Sequence, residues 1–182
     1  MTLRALTAAC CLIIAGLFAG AAAAQDIYAK ITDIPGTSTD NGRTDWIELT
    51  SFSEGLSVAV PASTGGAARA GGKANFQDIS LTKLIDAASI KLREAAVSGR
   101  RFAQVEIEVV RGGQQPSVAY RIVLKNAALT AVSGNFGSGD PGQESLSMIY
   151  DEISWSFTPG GPGSKAGAEV KAGCNLSKNT KP

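Results

Sequence analysis

Apolar and polar side chains alternate with a period of two residues along much of this chain, and this spacing limits the possible folds more than any other feature. The clearest example begins at Gln104, where the apolar residues are Val105, Ile107 and Val109. Gly112-Gly113 then reverses the chain, and the alternation resumes over residues 118–125. Because successive strand residues point to opposite faces, this pattern predicts an antiparallel hairpin with one buried and one polar face.

Similar stretches at 27–32, 45–60, 127–132 and 144–158 predict further strands. The second is interrupted at Ser53-Glu54-Gly55, so it forms either two strands or one strand bent at a bulge. In the last, expected to be one long strand, the apolar residues that share a face are Ile149, Ile153, Trp155 and Phe157. Its Leu146–Tyr150 part carries no charge or proline, and we expect it to be an uncovered sheet edge.

Only one segment has helical spacing. Apolar residues recur on one face from Leu84 to Ala96, and Gly99 supplies a stop signal. With 21 glycines to make turns, the chain is expected to be mainly β, with about seven or eight strands and a single helix, arranged as an antiparallel barrel or sandwich.

Three segments are expected along the chain. Residues 1–24 are typical of a secretory signal peptide, with Arg4, an apolar run and a cleavage motif at Ala22-Ala23-Ala24. Residues 25–159 form the β-barrel domain. Residues 160–182 are expected to be a flexible tail rich in glycine and lysine. The protein is then exported to the periplasm or secreted, with no membrane contact once the signal is removed.

Charge and cysteine content separate the tail from the barrel domain. The tail carries Lys165, Lys171, Lys178 and Lys181 against Glu169 alone, and we expect this basic stretch to keep it soluble. Cys174 is the one cysteine that remains after residue 24. It is expected to be an exposed thiol, or else to form a disulfide between chains.

Composition argues against an enzyme and against a nucleic-acid partner. Residues 25–182 carry 16 Lys and Arg against 16 Asp and Glu, so the chain has no net positive charge to attract a phosphate backbone. The chain has no histidine, so Ser/His or Cys/His nucleophile activation and most transition-metal sites have no ligand or base. The run Gly137 to Gly142 matches a dinucleotide fingerprint in letters only, since Pro141 has no donor and a strand follows. We therefore expect no catalytic residue, no cofactor and no metal. Glu106 and Glu108 on one strand face leave a carboxylate hydrolase as a remote alternative.

The order of these elements resembles a known family. Asp26 to Ile31 with Ile34-Pro35-Gly36, the stretch Phe76 to Lys83 (Phe-Gln-Asp-Ile-Ser-Leu-Thr-Lys) before Asp86, the strand Tyr120 to Lys125 and the segment 144–157 are similar in sequence and spacing to the haemolysin-coregulated protein family, Hcp. The similarity covers residues 26 to 159. It implies an antiparallel β-barrel of two sheets with one flanking α-helix, and six copies of this barrel that close into a homohexameric ring. It also implies that the rings stack into the tube of bacterial type VI secretion, and that the protein has no catalytic residues.

The resemblance also suggests partners and contact residues. It implies self-association, and contact with the tip or spike protein and with secreted effectors. The glycine-rich loop 62–72 is expected at the ring-to-ring contact, with candidate residues Gly65, Gly66, Arg69, Gly71 and Gly72. Ser51 and Ser53 are expected to face the lumen of the tube. A monomeric exported barrel that acts as a binding module remains the alternative.

Overall fold

The alternating stretches form strands whose apolar side chains meet in a single core. In this computed structural model, residues 25–59, 73–113, 115–160, 167–178 and 180 are described. Those residues contain eleven strands and one helix: β1 Gln25–Ile31, β2 Ile47–Leu49, β3 Ser51–Ser53, β4 Leu56–Val58, β5 Ala74–Phe76, β6 Ile79–Leu84, α1 Ala87–Ser98, β7 Arg101–Arg111, β8 Ser117–Asn135, β9 Gln143–Ile149, β10 Glu152–Phe157 and β11 Val170–Asn175.

Nine of these strands form one antiparallel sheet that closes on itself. The order along the sheet is β2-β1-β7-β8-β9-β6-β3. Strands β2 and β3 are separated only by Thr50, whose N–H donates to Thr82 O at 2.8 Å. The segment 47–53 therefore pairs with β1 at one end and with β6 at the other, which closes the barrel. The predicted mainly β class with one flanking helix is confirmed.

Strand β8 is long enough to serve two parts of the sheet. Its first half pairs with β10 and its second half with β9, while β7 runs along its other side. Asn126, with φ of 51°, lies between the two halves. The stretches predicted separately at 118–125 and 127–132 are thus one strand. Strands β4 and β5 form a separate two-stranded ribbon.

Helix α1 begins three residues later than predicted, because Leu84 still belongs to β6. Asp86 caps it by accepting from the N–H groups of Ala88 and Ser89, and Gly99 ends it in the left-handed region at φ 64°. The helix buries Ala88, Leu92 and Ala95 against the barrel.

Two predictions about the C-terminal third are wrong. Residues 144–158 form two strands, β9 and β10, and Ile149 is exposed whereas Ile153 is buried. Strand β9 pairs with β6 on one side and β8 on the other. Its Leu146–Tyr150 part is therefore no sheet edge. Uncharged strands are common in the interior of a sheet, where no charge is needed to prevent pairing.

Part of the segment expected to be a flexible tail is ordered. Val170–Asn175 is strand β11, which pairs along the whole length of β10. Backbone pairing orders this segment despite its few apolar side chains. Cys174, opposite Ile153, is half-buried and packs against the core rather than standing free as an exposed thiol.

Candidate functional site

A face of small hydroxyl side chains covers four neighbouring strands. It lies on β3, β6, β9 and the second half of β8, and successive strands place hydroxyls opposite one another. One row is Ser51, Thr82, Ser145 and Ser133, and the next is Ser53, Ser80, Ser147 and Ala131. We call these eight residues, all but Ala131 of which carry a hydroxyl, the hydroxyl face. None of them carries a charge.

The chemistry of the hydroxyl face is that of a polar, neutral wall. Its outer members Ser51, Ser53 and Ser133 are exposed, and the hydroxyl oxygens of Ser80 and Ser145 lie 3.5 Å apart. Serine and threonine hydroxyls both donate and accept hydrogen bonds and carry no charge, so this face does not favour contact with either a cation or an anion. Sequence reasoning selected Ser51 and Ser53 but missed the rest. The signal was present in Ser80-Leu81-Thr82 and Ser145-Leu146-Ser147, where every second residue is a hydroxyl.

Beneath this wall, the opposite side of the same strands holds a buried charge cluster. Lys83 is fully buried, and its Nζ donates to Asp86 Oδ1 at 2.7 Å, Ser89 Oγ at 3.1 Å and Glu144 Oε1 at 3.0 Å. The buried Glu144 also accepts from Ser89 Oγ at 2.5 Å and from Arg93 Nη2 at 3.0 Å. This Lys83–Glu144 cluster ties β6 and β9 to the first turns of α1. It fixes the helix to the barrel.

The predicted ring-stacking loop follows β4 and precedes β5 in the sequence. Residues Gly65, Gly66, Arg69, Gly71 and Gly72 lie outside the described residues, between the two ribbon strands. On the ribbon itself, Leu56 is 55% and Val58 44% exposed. Apolar side chains this open on a short ribbon are typical of a contact surface.

A groove opens beside the ribbon and was not predicted. It has a volume of about 250 Å³ and is lined by Glu54, Gly55, Leu56, Phe76, Tyr150 and Trp155. Glu54 is held on both carboxylate oxygens, since Tyr120 Oη donates to Oε1 and Trp155 Nε1 donates to Oε2, each at 2.7 Å. In the sequence, Glu54 is visible only as an interruption of the alternating pattern. Its hydrogen-bond donors lie 66 and 101 residues away along the chain, so no local pattern indicates the groove.

Aromatic rings form the walls of this groove and of its approach. Phe76 stacks on Trp155 with centroids 6.3 Å apart, and Phe52 stacks on Tyr120 at 6.5 Å. Burial raises the pKa of Tyr150 to about 12, and the negative charges of Glu54 and Asp78 act in the same direction. Burial and the hydrogen bond to Glu54 raise the pKa of Tyr120 as well. The groove therefore combines aromatic surface with negative potential.

The carboxylate pair considered for hydrolysis is engaged elsewhere. Arg121 binds Glu106 at 2.9 Å and Glu108 at 2.6 Å, and Arg43 binds Glu108 at 2.7 Å. Glu108 is 3% exposed, which corrects its expected place on an open polar face. The side chain of Arg43, from the loop between β1 and β2, lies against Glu108, whereas Arg121 and Glu106 stay partly exposed. Lys125, further along β8, binds Glu152 rather than either of these acids.

In the part of the chain that the structure describes, no three side chains of the metal-ligating types His, Cys, Asp and Glu come together. The described residues also include no helix with the length and apolar character needed to cross a membrane.

Comparison with known sequences gives consistent matches. The sequence model for a family described as "Type VI secretion system effector, Hcp" matches residues 28–157. The protein hcp1 of Pseudomonas aeruginosa is 32% identical over 159 residues, which is 86% of this chain and 98% of that protein.

Solved structures match over similar lengths. A structure of a type six secretion system protein is 29% identical, with a TM-score of 0.82 over 87% of this chain and all of that one. Hcp1 from Salmonella typhimurium, at 18% identity, has a TM-score of 0.70 and covers 87% of this chain and 99% of its own. The secreted protein Hcp3 from Pseudomonas aeruginosa is 20% identical, with a TM-score of 0.56 over 84% and 98% of the two chains. The last two support the fold alone.

Proposed function

This chain belongs to the Hcp family of type VI secretion proteins, and from that premise we propose that it is a ring subunit whose hydroxyl face lines the channel of the tube. Hcp proteins build hexameric tube rings and are structural rather than enzymatic. The proposal for this chain is self-association into such rings, stacking of the rings, and contact with tip or spike proteins and with secreted effectors.

The observation that carries the channel assignment is the neutrality of the hydroxyl face. A channel through which different proteins pass must bind none of them strongly. Uncharged hydroxyls form hydrogen bonds with water but form no ion pairs with a protein in the channel. Ser51 and Ser53 belong to this face. Its opposite side is core, so the wall stands on a rigid support.

The ring is tested by sedimentation of the chain that begins at Gln25. A hexamer is expected at micromolar concentration, because identical subunits joined by a heterologous contact either close or run on as filaments. Deleting residues 62–72 is expected to leave the hexamer intact and to reduce stacking of rings. A monomer at every concentration contradicts the ring and favours a monomeric binding module.

The channel is tested by labelling single cysteines in a Cys174→Ser background. The Ser147→Cys variant, in the assembled tube, is expected to react with a small maleimide and to resist a maleimide carrying a large polyethylene glycol. Ile90→Cys, at a helix position that is 70% exposed, is the control and should accept both reagents. Equal labelling of the Ser147→Cys variant by both reagents contradicts a channel position for the hydroxyl face.

Export through a signal peptide is a further part of the proposal. Residues 1–24 support it, through Arg4, the apolar run and the Ala22-Ala23-Ala24 motif. Mass spectrometry of the protein from periplasm or medium is expected to find Gln25 or Asp26 at the N-terminus. A cytoplasmic protein that keeps Met1 contradicts this route.

A further inference from the structure

The groove at Glu54 faces away from the hydroxyl face. Phe52 and Glu54 both contact Tyr120, Phe52 by ring stacking and Glu54 by a hydrogen bond. Ser51 and Ser53 alternate with them and belong to the exposed hydroxyl face. Because neighbouring strand residues point to opposite sides, the groove is not part of the hydroxyl face, and a subunit that turns its hydroxyl face to the channel keeps the groove off the channel surface.

The charge of Glu54 is not balanced by a cation within the described residues. Its two oxygens accept from a phenol and an indole, which are neutral donors, and no lysine or arginine described here lies within 4.0 Å of it. Tyr150 experiences the negative charges of both Glu54 and Asp78. A carboxylate that is oriented but not neutralised, beside stacked rings, has the two features that bind a guanidinium or ammonium group.

We propose that this groove binds a basic side chain, arginine or lysine, of the adjacent copy of the chain in the ring. The inference rests on the proposed ring function and adds a contact that joins neighbours. The size of the groove, about 250 Å³, suits one side chain rather than a folded segment. The exposed Leu56 at its rim supplies apolar surface for the stem of that side chain.

The chain can supply the partner cation. Lys91 is exposed on α1 and has no acidic partner within the described residues. Arg111 donates to the carbonyl of Thr158 and lies 5.8 Å from the Phe157 ring, again with no described acid beside it. A second copy therefore offers cations that are free to pair, which matches the unbalanced anion of the groove.

The first experiment follows assembly of the mature chain and its Glu54→Gln variant by sedimentation across concentration and salt. Glu94→Gln is the matched control, because it removes the same charge from an exposed position on α1 with no hydrogen bond or ion pair in the described structure. The expected result is that Glu54→Gln raises the concentration needed for half-assembly by about tenfold, which lies between the effect of an exposed ion pair and that of a fully buried one. The variant should also respond less to added salt than the native chain, whereas Glu94→Gln should behave as native.

The second experiment measures binding without the ring. In a Trp46→Phe background Trp155 is the remaining tryptophan, since the chain has two, and its fluorescence reports on the groove. N-acetyl-arginine amide is expected to change this signal with millimolar affinity, and the neutral N-acetyl-citrulline amide is not. Glu54→Gln should abolish the response, and Phe76→Leu should weaken it while keeping the carboxylate.

The outcomes separate this inference from the ring itself. A native hexamer that Glu54→Gln leaves unchanged at every salt concentration overturns the contact between copies but not the ring. A monomeric native chain overturns the ring, and the arginine titration then decides whether the groove recognises cations at all. No fluorescence response to the arginine amide overturns the site.

Discussion

Two carboxylates of this protein are each held by at least two hydrogen-bond donors, but one is buried among cations and the other lies at the surface among neutral groups. Glu144 is fully buried and faces the cations of Lys83 and Arg93. Glu54 is exposed and is held by the neutral groups of Tyr120 and Trp155. The first carboxylate is neutralised within the chain, whereas the second keeps an unbalanced charge at the surface.

The comparison shows how a structural ion pair differs from a binding site built from the same side chain. A buried charge is tolerated only with a partner cation and full hydrogen bonding, and the Lys83–Glu144 cluster has both. An oriented carboxylate at the surface lowers the stability of the fold little and remains available to bind a cation. We therefore expect substitutions in the cluster to change folding and substitutions in the groove to change association.

The largest loss is expected from Lys83→Met. The change keeps most of the buried volume but leaves Glu144 and Asp86 without their shared cation, and breaking one partner of a buried pair typically costs about 3–5 kcal/mol. Urea unfolding of the mature chain measures it. The double variant Lys83→Met with Glu144→Leu is the control, and it should recover part of the loss. If the single variant unfolds like the native chain, the cluster is not what secures α1.

The barrel core is expected to lose slightly less. Ile107 and Ile153 are each 1% exposed, so truncating either to alanine should cost about 2–5 kcal/mol through lost contacts and a cavity. Glu106→Ala is the matched control on the neighbouring strand position. It breaks an ion pair with the partly exposed Arg121 and should change little. Equal losses at Ile107 and Glu106 contradict the assignment of faces on β7.

The comparison also separates what the sequence predicts from what it does not. Alternation predicted β7 with its buried Ile107, and one helical stretch predicted α1, because a local period carries this information. The Lys83–Glu144 cluster was not predicted, since Lys83 in the sequence resembles any polar residue at the end of a strand. Its burial depends on the tertiary approach of β6, β9 and α1.

The errors have the same origin. Leu146 to Tyr150 was interpreted as a sheet edge, although a pattern of apolar residues does not tell how many neighbours a strand has. Val170–Asn175 was expected to be flexible because it has few apolar side chains. Its pairing with β10 uses backbone groups, which every sequence carries, so the side chains do not reveal it. Glu54 was not predicted because its donors come from β8 and β10. Long-range pairing is not encoded in a local period.

Tyrosine ionisation offers a smaller, pH-dependent test of burial, including that of Tyr150 in the groove. All three tyrosines of the chain, Tyr28, Tyr120 and Tyr150, have a pKa raised above 10 by burial and nearby carboxylates. The folded chain therefore holds its phenol protons more tightly than the unfolded chain, so their contribution to stability is complete below pH 10 and is lost as the pH rises toward 12. Absorbance at alkaline pH should show no ionisation step near 10 until the chain unfolds. A step near 10 in the folded protein contradicts the burial of these rings.

The smallest effect on stability is expected from Glu54→Gln, and this result sharpens the comparison most. Glutamine keeps one oxygen that can accept a hydrogen bond from either Tyr120 or Trp155. Because the site is exposed, water can accept from the other donor, so the loss of unfolding free energy should not exceed about 1 kcal/mol. For a chain of this size that corresponds to a fall of roughly 2–4 °C in the midpoint of thermal unfolding.

Glu144→Gln is the matched change at the buried carboxylate. There the amide cannot neutralise Lys83, and water cannot replace the lost interaction, so a loss several times larger is expected in the same measurement. If the two variants lose equal stability, Glu54 is part of the fold's own support, and a weakened ring in Glu54→Gln would then report unfolding rather than a lost contact between subunits.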